Sequence, residues 1–451
     1  MMRSLYSGVA GLKTHQTRMD VIGNNIANVN TTAYKSQSMT FSDLMYQTTQ
    51  AASGANPTTG VGGTNARQIG LGAKTSAIKT AITTQGASQT TNDPFDIMIT
   101  GDSFFIVNNG QNNYFTRDGS FYVDGAGNLA MTSTGYNVMG WQVDPNDASA
   151  IKQDTVSALR VMTTENMTYP PEATKSARIS GIIDKNDTNV NATAGKIMNL
   201  EFYDNQGYKY TAKLSVHSTK TDGQFTVKLD DILDSKGKSV LADPTKASLQ
   251  QNNADVKDPV LEFDLKNGSF KNVGTAGGTE STLTLHFDTG TFPSFTDITI
   301  DFSNCSNLNN NGSSTVSPIR GDAKGNGAGR KVGEMSGIDI QKDGMIYANY
   351  DNGCSRLLGQ IAVATFANAS GLAKEGDNLY SATQNSGDFD GIGTDITTGG
   401  GYMNTGVLEM SNVDLSSEFT EMITTQRGFQ ANSRIITVSD TLLEELTNLK
   451  R

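Results

Sequence analysis

The two ends of the chain carry apolar residues at a helical spacing. Near the N-terminus an apolar residue recurs every seven positions, and three more widen the stripe: Leu5, Leu12, Met19 and Ile26, flanked by Val9, Ile22 and Val29. Near the C-terminus the same interval separates Leu415, Met422, Phe429, Ile436 and Leu443, beside Ile435, Leu442, Leu446 and Leu449. This period is typical of one face of an α-helix. All nine prolines lie between Pro57 and Pro318, so the sequence predicts a long helix at each end.

The C-terminal helix has a second set of positions that is mostly polar. Four residues after each apolar anchor stand Phe419, Gln426, Ser433, Asp440 and Thr447. A two-stranded coiled coil would need apolar residues at most of these positions. We therefore expect a helix that packs among several neighbours and keeps one polar face exposed to water. Ser411, three residues before Asp414, resembles a capping box and predicts where the helix begins.

Between the helices the hydrophobic pattern changes to short alternating segments bounded by turns. The first half contains Phe95 to Ile99, Phe104 to Val107, YFTR, SFYV and NLAM. A later segment shows the same pattern in GIDI, MIYANY and QIAVATF. The middle adds FTVKL, LEFDL and TLTLHF. Such segments, separated by Gly-rich and Asn-rich turns, predict β-strands.

The order of these elements predicts domains nested by insertion. We expect a terminal helical polymerisation domain from residues 1–35 with 407–451, and a flexible connector from 36–70 with 391–406. Within the connector, residues 47–66 have almost no large apolar side chains. Inside these lies a first β domain, 71–145 with 331–390. An outer β domain, 146–330, is inserted into it. The predicted fold class is mixed α and β with several domains.

Composition and charge exclude several functional classes. The net charge of -11 argues against nucleic acid as a partner, because phosphate binding needs clustered Lys and Arg. No apolar run approaches the length of a membrane span. The apolar stretch near the N-terminus is interrupted by Ser7 and Lys13, so we expect no cleaved secretory signal peptide.

The sequence offers no recognisable catalytic, cofactor or metal site. The three histidines, His15, His217 and His286, have no metal-ligand spacing, and no nucleophile-elbow motif is present. The stretch IGLGAKTS fails as a phosphate loop, because Ala73 precedes the lysine. DGAGN and DAKGNG depart from the calcium-loop pattern and are predicted to be hairpin turns. We expect a protein without enzymatic activity or a cofactor.

Two cysteines, Cys305 and Cys354, stand far apart and belong to no CxxC motif. We favour two unrelated free thiols. A disulfide or another cross-link is the alternative that the sequence leaves open.

Several stretches resemble a known family. SLYSGVAGL, NNIANVNTTAYK and the C-terminal LEMSNVDLSSEFTEMITTQRGFQANSRIITVSDTLLEELTNL resemble the terminal signatures of bacterial flagellar axial proteins. DPFDIMITGDSFFIV, YFTRDGSF, GYNVMGW and GQIAVATFANASGLAKEGDNLYSAT resemble the hook proteins within that family. The resemblance covers most of the chain and is weakest from about 185 to 330. One departure is Ala33, where the family usually has Gly.

The resemblance implies that the terminal helices form an inner, coiled-coil-like tube around an export channel, with the β domains outside it. The subunit would then belong to a curved, flexible hook that transmits torque from rod to filament. Its implied partners are many copies of itself, the distal rod, the hook cap, the hook–filament junction proteins and the export apparatus. Its location would be the flagellum outside the cell, reached by type III export.

The predicted polymerisation interface combines this resemblance with the helical stripes. It consists of Leu5, Val9, Leu12, Met19, Ile22, Asn25, Ile26, Asn28, Leu415, Phe419, Met422, Phe429, Ile436 and Leu443. The asparagines belong to a cluster, Asn24 to Asn30, where the first helix is expected to end. Their amides are expected to cap backbone groups and to bridge to neighbouring copies.

Two alternatives remain. A rod or hook-like axial protein would share both ends, although rods usually lack so large a middle insert. A secreted monomeric β-rich adhesin would not need paired terminal helices.

Overall fold

The computed structural model describes residues 2–54, 60, 62–145, 147–241, 246–252, 254–275 and 277–449. In this part of the chain, long α-helices lie at the two ends and β-strands in several sheets lie between them. The predicted mixed, multi-domain fold class is confirmed. None of the helices in these ranges is long and apolar enough to cross a membrane.

The terminal helices are α1 (Met2–Ala27) and α2 (Leu415–Asn448). Asp414 is the N-cap of α2, and its carboxylate accepts hydrogen bonds from two backbone N–H groups in the first turn. The prediction that Ser411 begins the helix is wrong. The backbone N–H groups of the first helical turn have no acceptor within the helix. The Asp414 carboxylate accepts hydrogen bonds from two of them.

The strands of the first part of the chain are β1 (Gln37–Asp43), β2 (Tyr46–Gln50), β3 (Arg67–Gly70), β4 (Ala73–Thr80), β5 (Ser88–Thr90), β6 (Ile97–Ile99), β7 (Phe104–Asn108), β8 (Asn113–Thr116), β9 (Phe121–Val123), β10 (Leu129–Met131), β11 (Asn137–Asp144), β12 (Asp147–Ile151) and β13 (Ser157–Ala158). The middle contains β14 (Thr168–Tyr169), β15 (Ser176–Ile183), β16 (Lys196–Tyr203), β17 (Lys209–Ser218), β18 (Gln224–Asp234), β19 (Ala247–Gln251), β20 (Ala254–Asp255), β21 (Val260–Phe263), β22 (Phe270–Gly274), β23 (Thr282–Phe287), β24 (Ile298–Asn307) and β25 (Ser317–Arg320). The last part contains β26 (Gly333–Ile340), β27 (Met345–Tyr350), β28 (Ser355–Ile361), β29 (Val363–Ala364), β30 (Ala373–Gly376), β31 (Leu379–Ser381), β32 (Met403–Thr405) and β33 (Val407–Glu409).

The first compact unit contains both helices and comprises Met1–Thr163, Ile338–Ala348 and Arg356–Arg451. Its main sheet has the strand order β28, β11, β7, β8, β31 and β30. Strand β28 pairs antiparallel with β11, although the two lie far apart in the chain. The core against this sheet includes Ile82, Phe104, Ile106, Phe115, Trp141 and Tyr380. Segments from both halves of the chain therefore complete one sheet.

The second compact unit comprises Thr164–Gly337 and Asn349–Ser355. It contains a six-stranded sheet, ordered β20, β19, β23, β24, β15 and β25, and a five-stranded sheet, ordered β16, β17, β18, β21 and β22. One apolar core draws on both sheets and includes Ile179, Leu200, Phe202, Val227, Phe287, Ile300 and Phe302. Apolar residues on alternate positions of these strands explain the two-layer packing.

The segments expected to be flexible connectors contain regular structure. In 36–70, β1 pairs with β4 and β2 pairs with β3, while residues 55–59 and 61 lie outside the described residues. In 391–406, β32 pairs with β6, and Ile396 and Met403 are buried. Strand pairing uses backbone hydrogen bonds and does not require large apolar side chains. A composition that is typical of loops therefore does not exclude paired strands. The finer division into four parts stays a prediction.

The segments DGAGN and DAKGNG, which begin at Asp124 and Asp322, are tight turns. Asp124 accepts a hydrogen bond from the Asn128 N–H at 2.7 Å, and Asp322 accepts one from the Asn326 N–H at 2.8 Å. These backbone hydrogen bonds are the main reason why the pKa of both carboxyls lies below the ordinary value. Each carboxylate therefore accepts hydrogen bonds within its own turn.

Candidate polymerisation interface

Helices α1 and α2 pack antiparallel through polar side chains. At one end of the pair, the Ser4 and Ser439 hydroxyls are 3.3 Å apart. At the other end, the Asn25 amide donates to the Glu418 carboxylate at 2.9 Å. Between them, Thr14 and Thr425 are buried. Polar side chains therefore make up much of the contact within the chain.

Glycines bring the two helices close together. An added Cβ would lie 3.1 Å from Ile436 at Gly8 and 2.6 Å from the His15 ring at Gly428. At Gly11 it would lie 2.7 Å from the Asn432 side chain. A side chain larger than hydrogen at these positions would require the facing side chains of the other helix to move. The close approach leaves little room for large apolar residues between the helices.

Most large apolar residues of the helix pair lie outside this contact. Their exposed fractions range from 39% to 80%. We call them the outer apolar residues: Met2, Tyr6 and Val9 on α1, and Leu415, Phe419, Ile423, Phe429, Ile435, Val438, Leu442, Leu446 and Leu449 on α2 and its C-cap. So many exposed apolar side chains on one helix pair indicate a surface that is covered by another molecule.

Apart from Phe429, the outer apolar residues of α2 form two separate groups. Leu415, Phe419 and Ile423 lie in its first turns, and a second group extends from Ile435 to Leu449. With 3.6 residues per turn, the centres of the two groups differ by roughly 140° around the helix axis. A single flat partner surface cannot cover both groups.

The predicted interface residues fall into three classes of exposure. Ile22 and Asn25 are 2% and 1% exposed, so the chain itself covers them and we no longer propose them as contacts with another copy. The exposed ones are Val9, Leu415, Phe419 and Phe429. The half-buried ones are Leu5, Leu12, Met19, Ile26, Asn28, Met422, Ile436 and Leu443.

Sequence reasoning missed some outer apolar residues. Met2, Tyr6, Ile423 and Val438 do not follow the seven-residue spacing that we used. Ile435, Leu442, Leu446 and Leu449 lie beside the seven-residue anchors and form an apolar face of their own. A test for a second apolar face on the same helix would have found it.

The asparagines at the end of α1 bond within the chain. Asn25 donates to the Gln37 carbonyl at 2.7 Å and accepts from the Gln37 N–H at 2.9 Å. The Tyr34 hydroxyl donates to the Asn25 amide oxygen and accepts from the Asn24 amide. Asn28 donates back to the Asn24 carbonyl at 2.9 Å. The expected backbone capping is present, and Asn25 fixes the exit of the helix to the following segment.

His15 lies at the contact of α1, α2 and β1. Its ring approaches Gly428 and meets the Phe41 ring edge-on at a centroid distance of 5.6 Å. Its Nδ1 is buried and has no hydrogen-bond partner among the described residues. Burial, and secondly the positive charge of Arg18, lower the pKa of His15.

We expect acidification to weaken the helix pair. Because the pKa of His15 is lowered in the folded state, the unfolded state binds more protons below about pH 6.5, and stability present above that pH is lost as the pH falls. The measurement is the thermal unfolding of helical circular dichroism between pH 7.5 and 5.5, at concentrations that keep the chain monomeric. A His15→Gln variant should show a smaller pH dependence. An equal dependence in both chains would contradict this role for His15.

Both cysteines are free and buried. The Cys305 thiol donates weakly to the Ile179 carbonyl at 3.4 Å, and burial raises its pKa to about 12. Cys354 lies against the Arg330 guanidinium. The structure therefore shows two separate thiols.

Cys305 should resist alkylation by iodoacetamide in the folded chain at pH 8, because the thiolate that reacts is scarce and inaccessible. After denaturation without reductant, both cysteines should be alkylated. Intact-mass measurement before and after denaturation checks this. A denatured chain without added mass would show a disulfide instead.

One cluster in the second unit contains a serine, a histidine and an aspartate, but their spatial order differs from that of a catalytic triad. The Ser215 hydroxyl lies between His217 and Asp230, at 3.0 Å from the ring nitrogen and 2.9 Å from the carboxylate. In a serine hydrolase the histidine would lie between the other two. Ser215 is also fully buried. Over the described ranges, no group of three His, Cys, Asp or Glu residues is placed to hold a metal ion.

Known proteins resemble the chain over its whole length. The flagellar hook protein FlgE of Borreliella burgdorferi is 37% identical over 100% of both chains. FlgE of Treponema pallidum is 35% identical with the same coverage. The chain belongs to the flagellar hook protein family. A further relative, the flagellar basal-body rod protein FlgG of Bacillus subtilis, is 30% identical over 100% of both chains.

Family models match three parts of this hook-family chain. Residues 5–35 match the flagella basal body rod protein model, which covers most of α1. Residues 404–449 match the flagellar basal body rod FlgEFG protein C-terminal model, which covers α2. Residues 98–180 match the flagellar hook protein FlgE/F/G D1 domain model. The crystal structure of Helicobacter pylori FlgE2 covers 71% of this chain and 100% of its own, at 14% identity and a TM-score of 0.41.

Proposed function

We propose that this chain is a structural subunit of the bacterial flagellar hook. Many copies assemble through the terminal helices into a curved, flexible tube that transmits torque from rod to filament. The tube lies outside the cell, and its subunits leave through the flagellar export apparatus. The distal rod, the hook cap and the hook–filament junction proteins are its further partners, and it has no enzymatic activity.

The observation that carries this proposal is the exposure of the outer apolar residues. Each buried apolar side chain of this size stabilises an assembly by about 1.5–3 kcal/mol relative to its exposed state. Within the chain the helices are joined by small and polar residues, so this apolar surface remains available. Full-length similarity to proteins named hook proteins supports a second copy as the partner.

The two groups on α2 support assembly in more than one direction. Because they lie on different sides of the helix, each copy can contact different neighbours with each group. Contacts of this heterologous kind, repeated without closure, build helical assemblies. The polar positions between the groups then remain free to line a wet channel.

Electron microscopy of the purified chain tests the proposal. At high protein concentration we expect tubes with a central channel, and sedimentation should recover most of the chain in the pellet. Single particles at every concentration would favour the monomeric adhesin. Straight, rigid tubes would favour a rod subunit, the function named for the FlgG relative.

A further inference from the structure

A buried ion cluster joins the two terminal segments to the main sheet of the first unit. The Lys35 ammonium lies 2.6 Å from a Glu409 carboxylate oxygen, and their side chains are 0% and 1% exposed. The other carboxylate oxygen lies 3.9 Å from the Arg117 guanidinium, whose side chain is also 0% exposed. Lys35 follows α1, Glu409 precedes α2, and Arg117 directly follows β8. One carboxylate thus meets cations from two other parts of the chain.

Hydrogen bonds surround this cluster. Lys35 also donates to the Thr84 carbonyl at 2.7 Å, and the Gly86 N–H donates to Glu409 at 2.8 Å. The Ala33 N–H donates to the Glu409 carbonyl at 2.8 Å. Ala33 has a φ of 52°, a left-handed conformation that few non-glycine residues adopt. The segment is therefore held in a specific shape at the point where α1 connects to the sheet.

A second polar side chain ties the same segments. The Asn412 amide accepts from the Ser36 N–H at 2.7 Å and donates to the Ala81 carbonyl at 2.9 Å. At Gly86, an added Cβ would lie only 1.9 Å from the Met410 carbonyl oxygen. The segments before α2 and after β4 are therefore in direct backbone contact.

The cluster is poorly suited to stability alone. Buried ion pairs lose much of their attraction to desolvation, and well-packed apolar residues often serve stability equally well. Burial is the main influence on both cations and lowers the pKa of Lys35 and of Arg117. Two nitrogens of Arg117 and one oxygen of Glu409 have no hydrogen-bond partner among the described residues. The charge pairing does, however, favour one relative arrangement of the three segments over the others.

We propose that Lys35, Glu409 and Arg117 form a clamp that fixes the helix pair at one orientation relative to the main sheet of the first unit. This inference rests on the proposed function, because a subunit of a rotating tube must pass torque between its helices and its β region. Without the clamp, the helix pair would rotate relative to the main sheet about the segments that connect them. The torque would then drive this rotation instead of being transmitted. The three side chains act as positioning residues.

The orientation can be measured on the monomeric full-length chain. Nitroxide labels are placed at two exposed positions of the first unit, one on α1 and one in the β7–β8 turn, as Asp20→Cys and Asn112→Cys in a Cys305→Ala/Cys354→Ala background. Double electron–electron resonance then gives the distribution of the distance between them. We expect a narrow distribution for the chain with an intact clamp.

Glu409→Gln removes the only carboxylate of the clamp, and Gly86→Ala forces the segments apart without changing any charge. Both variants are expected to broaden the distance distribution by about twofold or more, because the orientation is no longer fixed. The fluorescence of Trp141, buried in the main sheet, should stay unchanged. Glu421→Gln is the control, since it removes the exposed ion pair of Glu421 with Arg18 and should leave the distribution narrow.

Two results would overturn the clamp. Distributions as narrow as in the parent chain would show that other contacts set the orientation. Loss of the Trp141 signal together with helical structure would show that the cluster belongs to the folding core of the sheet. Because the distances are measured on monomers, failure of the parent chain to form tubes would refute the proposed function without changing this result.

Discussion

A chain that carries Leu442→Asp and Leu446→Asp is expected to fold normally and to stay monomeric at concentrations where the parent chain forms tubes. Both residues belong to the second group of outer apolar residues, with exposed fractions of 50% and 49%. Assembly would bury them, and a buried carboxylate without a partner is strongly unfavourable. A loss of about 3 kcal/mol per copy corresponds to a rise of about 100-fold in the concentration needed for assembly.

The matched control places the same charges on the polar side of the same helix. Thr441→Asp/Asn448→Asp adds two carboxylates to the last turns of α2, where the helix dipole disfavours them equally. This chain should assemble at close to the parent concentration. Sedimentation across a concentration series measures both variants, and circular dichroism checks the fold. Tubes from Leu442→Asp/Leu446→Asp at the parent concentration would remove this face from the interface.

Deleting residues 170–332 should leave a chain that still forms tubes, but straighter ones. Tyr169 and Gly333 are cross-strand partners in the antiparallel pair of β14 and β26, so a Gly-Asn dipeptide can join them as a tight turn. The outer apolar residues remain, so assembly persists. The deleted part is rich in polar residues, whose contacts through water can exchange while subunits slide in a bent tube.

Electron microscopy of the tubes and swimming in cells that carry only the deleted chain measure this effect. We expect loss of most curvature and poor motility. Tyr208→Ser/Leu265→Ser in the full-length chain is the control, because it removes two exposed apolar side chains of the second unit and keeps the unit. Unchanged curvature and motility of the deleted chain would contradict the assignment of curvature to this region.

The sequence predicted local structure well because the signals are local. Alternation in FTVKL, LEFDL and TLTLHF corresponds to β18, β21 and β23, and the seven-residue spacing at the two ends corresponds to α1 and α2. Aspartates followed by glycine marked turns, as at Asp124. Each of these features depends on residues that are close in the chain.

The composition of the helix contacts was less predictable. A seven-residue stripe shows that one helix face must be covered, but it does not show what covers it. Ile22 and Asn25 are covered by the chain's own segments, whereas Phe419 is not. The close helix contact depends on Gly8 and Gly428, which an apolar count ignores. The sequence marks Val9, Leu415, Phe419 and Phe429 as apolar, but their exposure follows only from the packing of the two helices.

The clamp was beyond the reach of sequence reasoning for a related reason. Lys35, Arg117 and Glu409 stand in three distant segments, and each is an ordinary charged residue in its local context. Charged residues are usually exposed, so nothing local marks these three as buried. Only the pairing of β33 with β5 and the return of the chain to the sheet bring them together.

The most direct test of assembly through the outer apolar residues is hydroxyl-radical footprinting of monomer and tube. Mass spectrometry would compare the oxidation of Phe419, Leu442 and Leu446 in the two states, with Leu265 of the second unit as an internal reference. We predict that oxidation of Phe419, Leu442 and Leu446 falls several-fold in the tube, while Leu265, which is 73% exposed in the monomer, changes little. Equal oxidation of the three helix residues in monomer and tube would contradict assembly through this surface.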